Sequence, residues 1–151
     1  MADLTTTIVE SVSINGTNRG STNTQTITGI IDAFERVVTC PALQTTTIAT
    51  FATNVYDSVG AIDAQGAKYV RVTNLSDTYD IELGVVGAAT LYQVHIPAGY
   101  SHILCRTDDA MLAEADTSPS FGTMADIASI QARPTAGSNV SVEIFVASID
   151  A

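Results

Sequence analysis

Apolar and polar residues alternate with a period of two along most of this chain, and this pattern constrains the fold more than any other feature. In residues 140–147, aliphatic residues take every second position, and Phe145 stands among the residues between them. Since successive side chains of a strand point to opposite faces, the alternation predicts a strand. Phe145 makes the second face partly apolar, so we expect this strand to be central or covered by another subunit.

The whole chain follows the same pattern. It predicts about nine or ten short strands, spaced by roughly 10 residues, which is typical of an all-β domain. After an opening hairpin, the predicted strands cover residues 34–40, 43–51, 68–74, 79–86, 89–96, 100–106 and 140–147, with residues 124–133 as either a strand or one helical turn. Segments 53–66 and 107–122 are predicted loops. The expected fold is one jelly-roll-like β-sandwich domain.

The opening hairpin is richer in Thr, Asn and Gly than the remainder. An Asn-Gly dipeptide favours a two-residue hairpin turn, and the return strand covers residues 23–31. We interpret residues 1–31 as an arm that packs on neighbouring subunits, and residues 32–151 as the sandwich domain. The candidate assembly contacts in the arm are Ile8, Ile14, Asn15, Gly16, Arg19 and Ile27.

The segment 68–74 is a strong strand candidate with two unlike faces. Val70 and Val72 are expected to point into the core, whereas Tyr69 and Arg71 point outward. With Phe145, these two outward residues complete the predicted assembly contacts.

The charge balance excludes several classes of partner. The net charge is -10, from 16 acidic and six basic residues. Phosphate backbones and anionic membranes repel such a surface, so neither nucleic acid nor membrane is an expected partner. Lys68 is the only lysine, and lysine ordinarily protects free surfaces and sheet edges. The interpretation we favour is a surface covered by copies of the chain or by a partner; the alternative is a β-domain kept in solution by its net charge.

The two histidines are candidate metal ligands. If Ala98-Gly99 formed a two-residue hairpin, His95 and His102 would face each other across two strands. Two imidazoles are too few for a zinc site, which needs three or four protein ligands. We therefore favour a stacked surface or interface pair, and expect no metal and no cofactor.

Cys40 and Cys105 both lie near the ends of predicted strands. The N-terminal residues contain neither a basic nor an apolar stretch, so no secretory signal is expected. Two reduced and mostly buried thiols are then favoured over a disulfide, which would require neighbouring strands.

Acidic residues cluster in three predicted turns and loops. Carboxylates at such positions can bind Ca²⁺, but none of the clusters matches an EF-hand loop, and solvated turns are the simpler interpretation. The clusters are Asp77, Asp80 and Glu82; Asp108 and Asp109; and Glu114 and Asp116. No acid, base and nucleophile converge in the sequence, so we do not expect an enzyme.

Several segments together resemble small β-rich virion proteins of tailed bacteriophages, particularly those of cyanobacteria and marine bacteria. After the Thr-rich first strand and the Asn-Gly hairpin, these segments are RVVTCP (36–41), KYVRVTNLS (68–76), IPAGY (96–100) and VEIFVAS (142–148). The resemblance covers most of the chain and brings no catalytic residues with it.

This resemblance implies a capsid decoration (cement) protein. Such a protein would be a trimeric β-sandwich that binds the major capsid protein on the outer surface of the head, in a virion assembled in the host cytoplasm. A tail component (tube, terminator, baseplate or fibre-associated protein) is the alternative. A receptor- or carbohydrate-binding module is a further one, although the absence of Trp argues against a sugar platform.

Overall fold

The chain folds as an all-β, sandwich-like single domain, as the sequence predicts. The structure is a computed structural model that describes residues 1–54, 59–87, 91–111 and 122–150. The strands are β1 (Ala2–Val9), β2 (Ser13–Ile14), β3 (Thr17–Asn18), β4 (Thr22–Cys40), β5 (Thr46–Ala52), β6 (Ile62–Asp63), β7 (Ala67–Asn74), β8 (Ile81–Gly87), β9 (Leu91–Ile96), β10 (Ser101–Leu104), β11 (Ile127–Pro134) and β12 (Val140–Ile149).

Two five-stranded sheets form the sandwich. The first sheet has the order β1-β4-β12-β7-β10, and the second has the order β6-β5-β11-β8-β9. Neighbouring strands are antiparallel except for the short parallel pair of β5 and β6. The strands β2 and β3 form a separate small hairpin.

The core lies between the two sheets and follows from the alternation. Val70 and Val72 of β7 and Ile144 of β12 face Leu83 of β8 and Ile130 of β11, and all five are almost completely buried. Burying one such side chain stabilises the fold by roughly 1.5–3 kcal/mol. The prediction that Val70 and Val72 point inward is confirmed.

One long strand replaces two predicted ones. The predicted strands 23–31 and 34–40 are both part of β4, which pairs with β1 in its first half and with β12 in its second. The register shifts next to Gly29 on the β1 side and next to Ile31 on the β12 side. These bulges interrupt the alternation without ending the ladder, which is why the sequence pattern suggested two strands.

The two-residue hairpin considered at Ala98-Gly99 does not join β9 to β10, so the expected stacked pair of His95 and His102 is wrong. The turn at Pro97–Tyr100 does form, since the amide of Tyr100 donates to the carbonyl of Pro97. However, β9 pairs with β8 in the second sheet, whereas β10 pairs with β7 in the first. His95 therefore lies opposite Glu82, and His102 lies opposite Val72. Period-two alternation cannot tell a hairpin from a connection between two packed sheets.

One predicted loop needs revision, and one ambiguous segment is resolved as a strand. Segment 53–66 contains β6, which is too short to show a period. The segment predicted as strand or helical turn is β11, a strand that ends at Pro134. Glu114 and Asp116, most of the loop 107–122 and the beginning of the strand predicted from residue 89 lie outside the described residues.

Candidate functional site: the N-terminal ribbon and the surface beneath it

The first strand and the beginning of β4 form a two-stranded ribbon, which we define as residues 2–28. Its tip is the hairpin of β2 and β3, where Asn15 and Gly16 have φ angles of 51° and 77°. Positive φ at both central residues is what a type I′ turn requires, and Asn-Gly is the sequence that best adopts it. The hairpin predicted from this dipeptide is confirmed.

The ribbon bends back over the outer face of its own sheet. Although β1 and β7 are separated by two strands in the sheet order, Leu4 of β1 lies in the same apolar cluster as Tyr69 of β7. Only a bend in β4 can bring them together. Gly29 supplies one part of it, since its φ of 78° is a conformation that glycine adopts without the steric cost other residues pay.

The surface beneath the ribbon is an apolar patch separate from the main core. We call this patch, formed by Tyr69, Phe145 and Ala147, the seat. Tyr69 and Phe145 meet edge to face, with ring centroids 6.1 Å apart, and Ala147 is buried beside them. Leu4 and Ile27, which are cross-strand partners in the ribbon, pack against the seat. The ribbon thus buries apolar groups that would otherwise lie in solvent.

Arg71 forms a polar border along the seat. Its Nη2 atom donates to Oε1 of Glu143 at 2.5 Å, its Nη1 atom donates to the Thr73 hydroxyl, and its guanidinium carbon lies 6.0 Å from the centroid of the Phe145 ring. Between this border and the threonines of β1 remains a shallow cleft of about 330 Å³. The seat is therefore an amphipathic surface with a fixed cation at its edge.

The far part of the ribbon, which we define as residues 8–19, presents apolar side chains to solvent. The exposed fractions are 50% for Ile8, 66% for Val9, 49% for Val12 and 54% for Ile14. Single exposed apolar residues are ordinary, but several on one narrow element are typical of an interaction site. Among the described residues, nothing covers these four side chains.

The backbones of Glu10 and Gly20 approach each other closely at the base of the ribbon tip. A Cβ atom on Gly20 would lie 1.8 Å from the carbonyl oxygen of Glu10, which no real side chain could tolerate. The amide of Glu10 donates to the carbonyl of Ser21, and the Ser21 hydroxyl donates to the Glu10 carboxylate. These contacts fix the direction of the tip.

The predicted contact residues separate into two groups. Ile27, Tyr69 and Phe145 come together at the seat, with Arg71 at its border. The other predicted residues lie on the far part of the ribbon and are exposed: Ile8, Ile14, Asn15, Gly16 and Arg19. Sequence reasoning missed Leu4 and Ala147, although the outward position of Ala147 beside Phe145 in the alternation was a usable signal.

The histidines are separated and each has its own partner. The ring of His102 packs edge to face on Tyr92, and the Nε2 atom of His102 lies 3.2 Å from the tyrosine hydroxyl. This pair connects β10, at the edge of the first sheet, with β9, at the edge of the second. Burial lowers the pKa of His102 and raises that of Tyr92. His95 Nε2 lies 3.0 Å from a carboxylate oxygen of Asp80, and this hydrogen bond is the main reason why the pKa of Asp80 is lowered.

Carboxylates in the two acidic clusters that the structure describes lie close to cations of the same chain. Asp108 accepts hydrogen bonds from Lys68 and Arg106, and Glu82 lies 3.8 Å from Arg133. Partial burial raises the pKa of Asp108, but the bonds from both cations outweigh this and leave it lowered. In the described part of the chain, no three potential metal ligands lie together.

The two cysteines are free and differ in exposure. Cys40 is fully buried at the end of β4, where burial raises the pKa of its thiol. Cys105 follows β10 and is exposed, so the expectation of two mostly buried thiols is wrong for this residue. Since β12 and β7 lie between β4 and β10, the two thiols are too far apart for a disulfide.

Comparisons with models of protein families, with curated proteins and with solved structures find no match to this chain. Within the described residues, no helix has the length and hydropathy needed to span a bilayer.

Proposed function

We propose that this chain is a structural protein of a tailed-bacteriophage virion, a decoration protein that binds the outer surface of the capsid and reinforces it. The observation that carries the proposal is the exposed far part of the ribbon, with Ile8, Val9, Val12 and Ile14 on one two-stranded element. An apolar β-ribbon can extend a neighbouring sheet by main-chain hydrogen bonds while its side chains enter pockets.

The net charge of the chain also supports an assembly role. A net charge of -10 suits attachment to a basic surface of a capsid shell and disfavours contact with the packaged nucleic acid. On a lattice, many such contacts act together, so each one can be weak. Among the described residues, Lys68, Arg71 and Arg106 are each paired with a carboxylate of the same chain, an arrangement that suits a binding protein better than a catalyst.

The proposal is tested by co-sedimentation with heads assembled from the major capsid protein of the phage whose genome encodes this chain. Saturable binding of the wild-type protein is expected, with copies matching the capsid lattice. An Ile8→Asn, Ile14→Asn double variant should bind at least tenfold more weakly, since two exposed contact residues become polar. Leu43→Asn is the matched control, because Leu43 is equally exposed but follows the opposite end of β4.

Two results would contradict the decoration role. One is the absence of binding to heads by the wild-type protein. The other is binding to isolated tails, with a ring or spike stoichiometry, which would support the tail component instead.

A further inference from the structure

We infer that the seat of one copy of the chain binds the ribbon of another copy, by exchange of identical elements about Gly29. This inference rests on the proposed assembly role and names its partner as a second copy. The exchange differs from attachment to the capsid, because it uses the seat and the inner face of the ribbon, which carries Leu4 and Ile27.

The connection between ribbon and sandwich permits such an exchange. Along β4, residues 22–27 pair with β1 alone, and the pairing with β12 begins at Ile30. Among the described strands, β1 pairs with β4 alone. A change of backbone angles near Gly29 can therefore move the whole ribbon away while its own ladder stays intact, apart from the pair of Ala2 and Ile30.

The closed arrangement holds an unusual backbone at this hinge. Gly29 has a positive φ, and the two register shifts of β4 lie within three residues of each other. A straighter β4 would relieve the bulge next to Gly29 on the β1 side and carry the ribbon away from its own seat. Hinges of this kind are where identical elements exchange between protomers.

A second copy offers the seat the same residues that now fill it. Leu4 and Ile27 would pack on Tyr69 and Phe145 as they do within one chain, so exchange loses no contact at the seat. Ile8 stays on the exposed far part of the ribbon in either arrangement, so that surface remains free to bind the capsid. If each copy donates its ribbon to the next around a ring, the assembly closes, as in the trimer expected from the sequence.

Chemical cross-linking tests the exchange directly. Thr6 and Arg71 line the cleft between ribbon and seat, so Thr6→Cys and Arg71→Cys place two thiols there, in a Cys105→Ser background. A short bismaleimide should join them between chains and give covalent dimers and trimers on a denaturing gel. The matched control replaces Arg71→Cys with Gln131→Cys, which lies on the second sheet and should give no link to the ribbon. Links found only within single chains would overturn the exchange.

A hinge variant supplies a second measurement. Gly29→Val disfavours the positive φ of the bend, so the fraction of oligomer seen by light scattering should rise severalfold over wild type at equal concentration. Gly137→Val is the control, since a Cβ there meets no atom within 4 Å and its φ is not positive. An unchanged or smaller oligomer fraction in Gly29→Val would overturn the exchange.

The two proposals fail in different ways. Cross-links between chains in a protein that does not bind heads would leave the exchange standing and remove the decoration role. Head binding by a protein whose links stay within each chain would do the opposite.

Discussion

At the scale of single residues, Asn74 organises one end of the sandwich. Its amide is completely buried and donates to the carbonyls of Tyr79, Ile96 and Pro97, while its side-chain oxygen accepts from the amide of Ser76. One side chain thereby satisfies backbone groups from two loops. The turn predicted at residues 74–77 is confirmed, but the sequence could not show that its first residue is buried.

We predict that Asn74→Ala lowers the free energy of unfolding by roughly 2–4 kcal/mol, since one buried and two partly buried carbonyls lose their donor. Urea denaturation measures the change. The control is Asn139→Ala, which removes one exposed bond to the amide of Ala42 and should cost about 1 kcal/mol or less. Equal losses in the two variants would contradict the role given to Asn74.

The pair of Tyr92 and His102 should make stability depend on pH. Burial holds the pKa of His102 below its ordinary value of 6.5, so the unfolded chain binds the proton more tightly. The stabilising contribution of the neutral ring is therefore complete above this value and is lost as the pH falls below it.

We predict a lower free energy of unfolding at pH 5.5 than at pH 7.5, with a smaller fall in His102→Gln, whose side chain cannot titrate but can still bond the hydroxyl of Tyr92. Denaturant titrations at the two pH values measure the difference. The prediction fails if both proteins lose the same amount.

At the scale of elements, the ribbon tip depends on a close approach of two backbones. A side chain at Gly20 would collide with the carbonyl of Glu10, and backbone atoms cannot move aside as a flexible side chain can. We predict that Gly20→Ala opens the tip and raises the rate of tryptic cleavage after Arg19 at least fivefold, while the unfolding of the sandwich changes little.

Gly137→Ala is the matched control for this experiment, because a Cβ there would meet open space. Cleavage after Arg19 is followed by mass spectrometry, and the unfolding temperature is measured in parallel. If Gly20→Ala were cut no faster than Gly137→Ala, the contact between residues 10 and 20 would not hold the tip.

The strands also show which features of the fold could be predicted from the sequence. Alternation identified β7 and β12 and both faces of each, because these central strands bury one face completely and the other in part. It failed at Gly29 and Ile31, where bulges shift the alternation inside one strand, and at β9 and β10, whose partners lie in different sheets. Partner choice depends on contacts distant in sequence, which a local period does not encode.

Individual residues of the candidate site could be predicted from the sequence, but their arrangement could not. Tyr69, Arg71 and Phe145 were identified from their outward positions, and the arm from its Thr-rich composition and Asn-Gly turn. That the arm covers those residues could not be predicted, because the bend near Gly29 leaves no signal beyond a single glycine.

At the scale of the whole molecule, the main core does not include the ribbon. Its buried residues begin at Cys40, and Phe34 is the first partly buried residue packed against them. The cluster at the seat, in contrast, draws Leu4 and Ile27 from the ribbon. We therefore expect folding of the sandwich to be separable from the assembly that we propose for the ribbon.

Deletion of residues 1–21 tests this separation. The sandwich should remain folded and soluble, with unfolding easier by roughly 1–3 kcal/mol because Tyr69 and Phe145 lose the cover of Leu4. Its mass by light scattering after size exclusion should be that of a monomer, whereas the full chain should form an oligomer. The control is the full chain with Thr24→Ala and Thr26→Ala, two exposed residues of β4 whose positions alternate with that of Ile27, which should keep the oligomer. If the truncated chain kept the mass of the full chain, assembly would have to proceed through the sandwich, and the ribbon would serve only to cover its own seat.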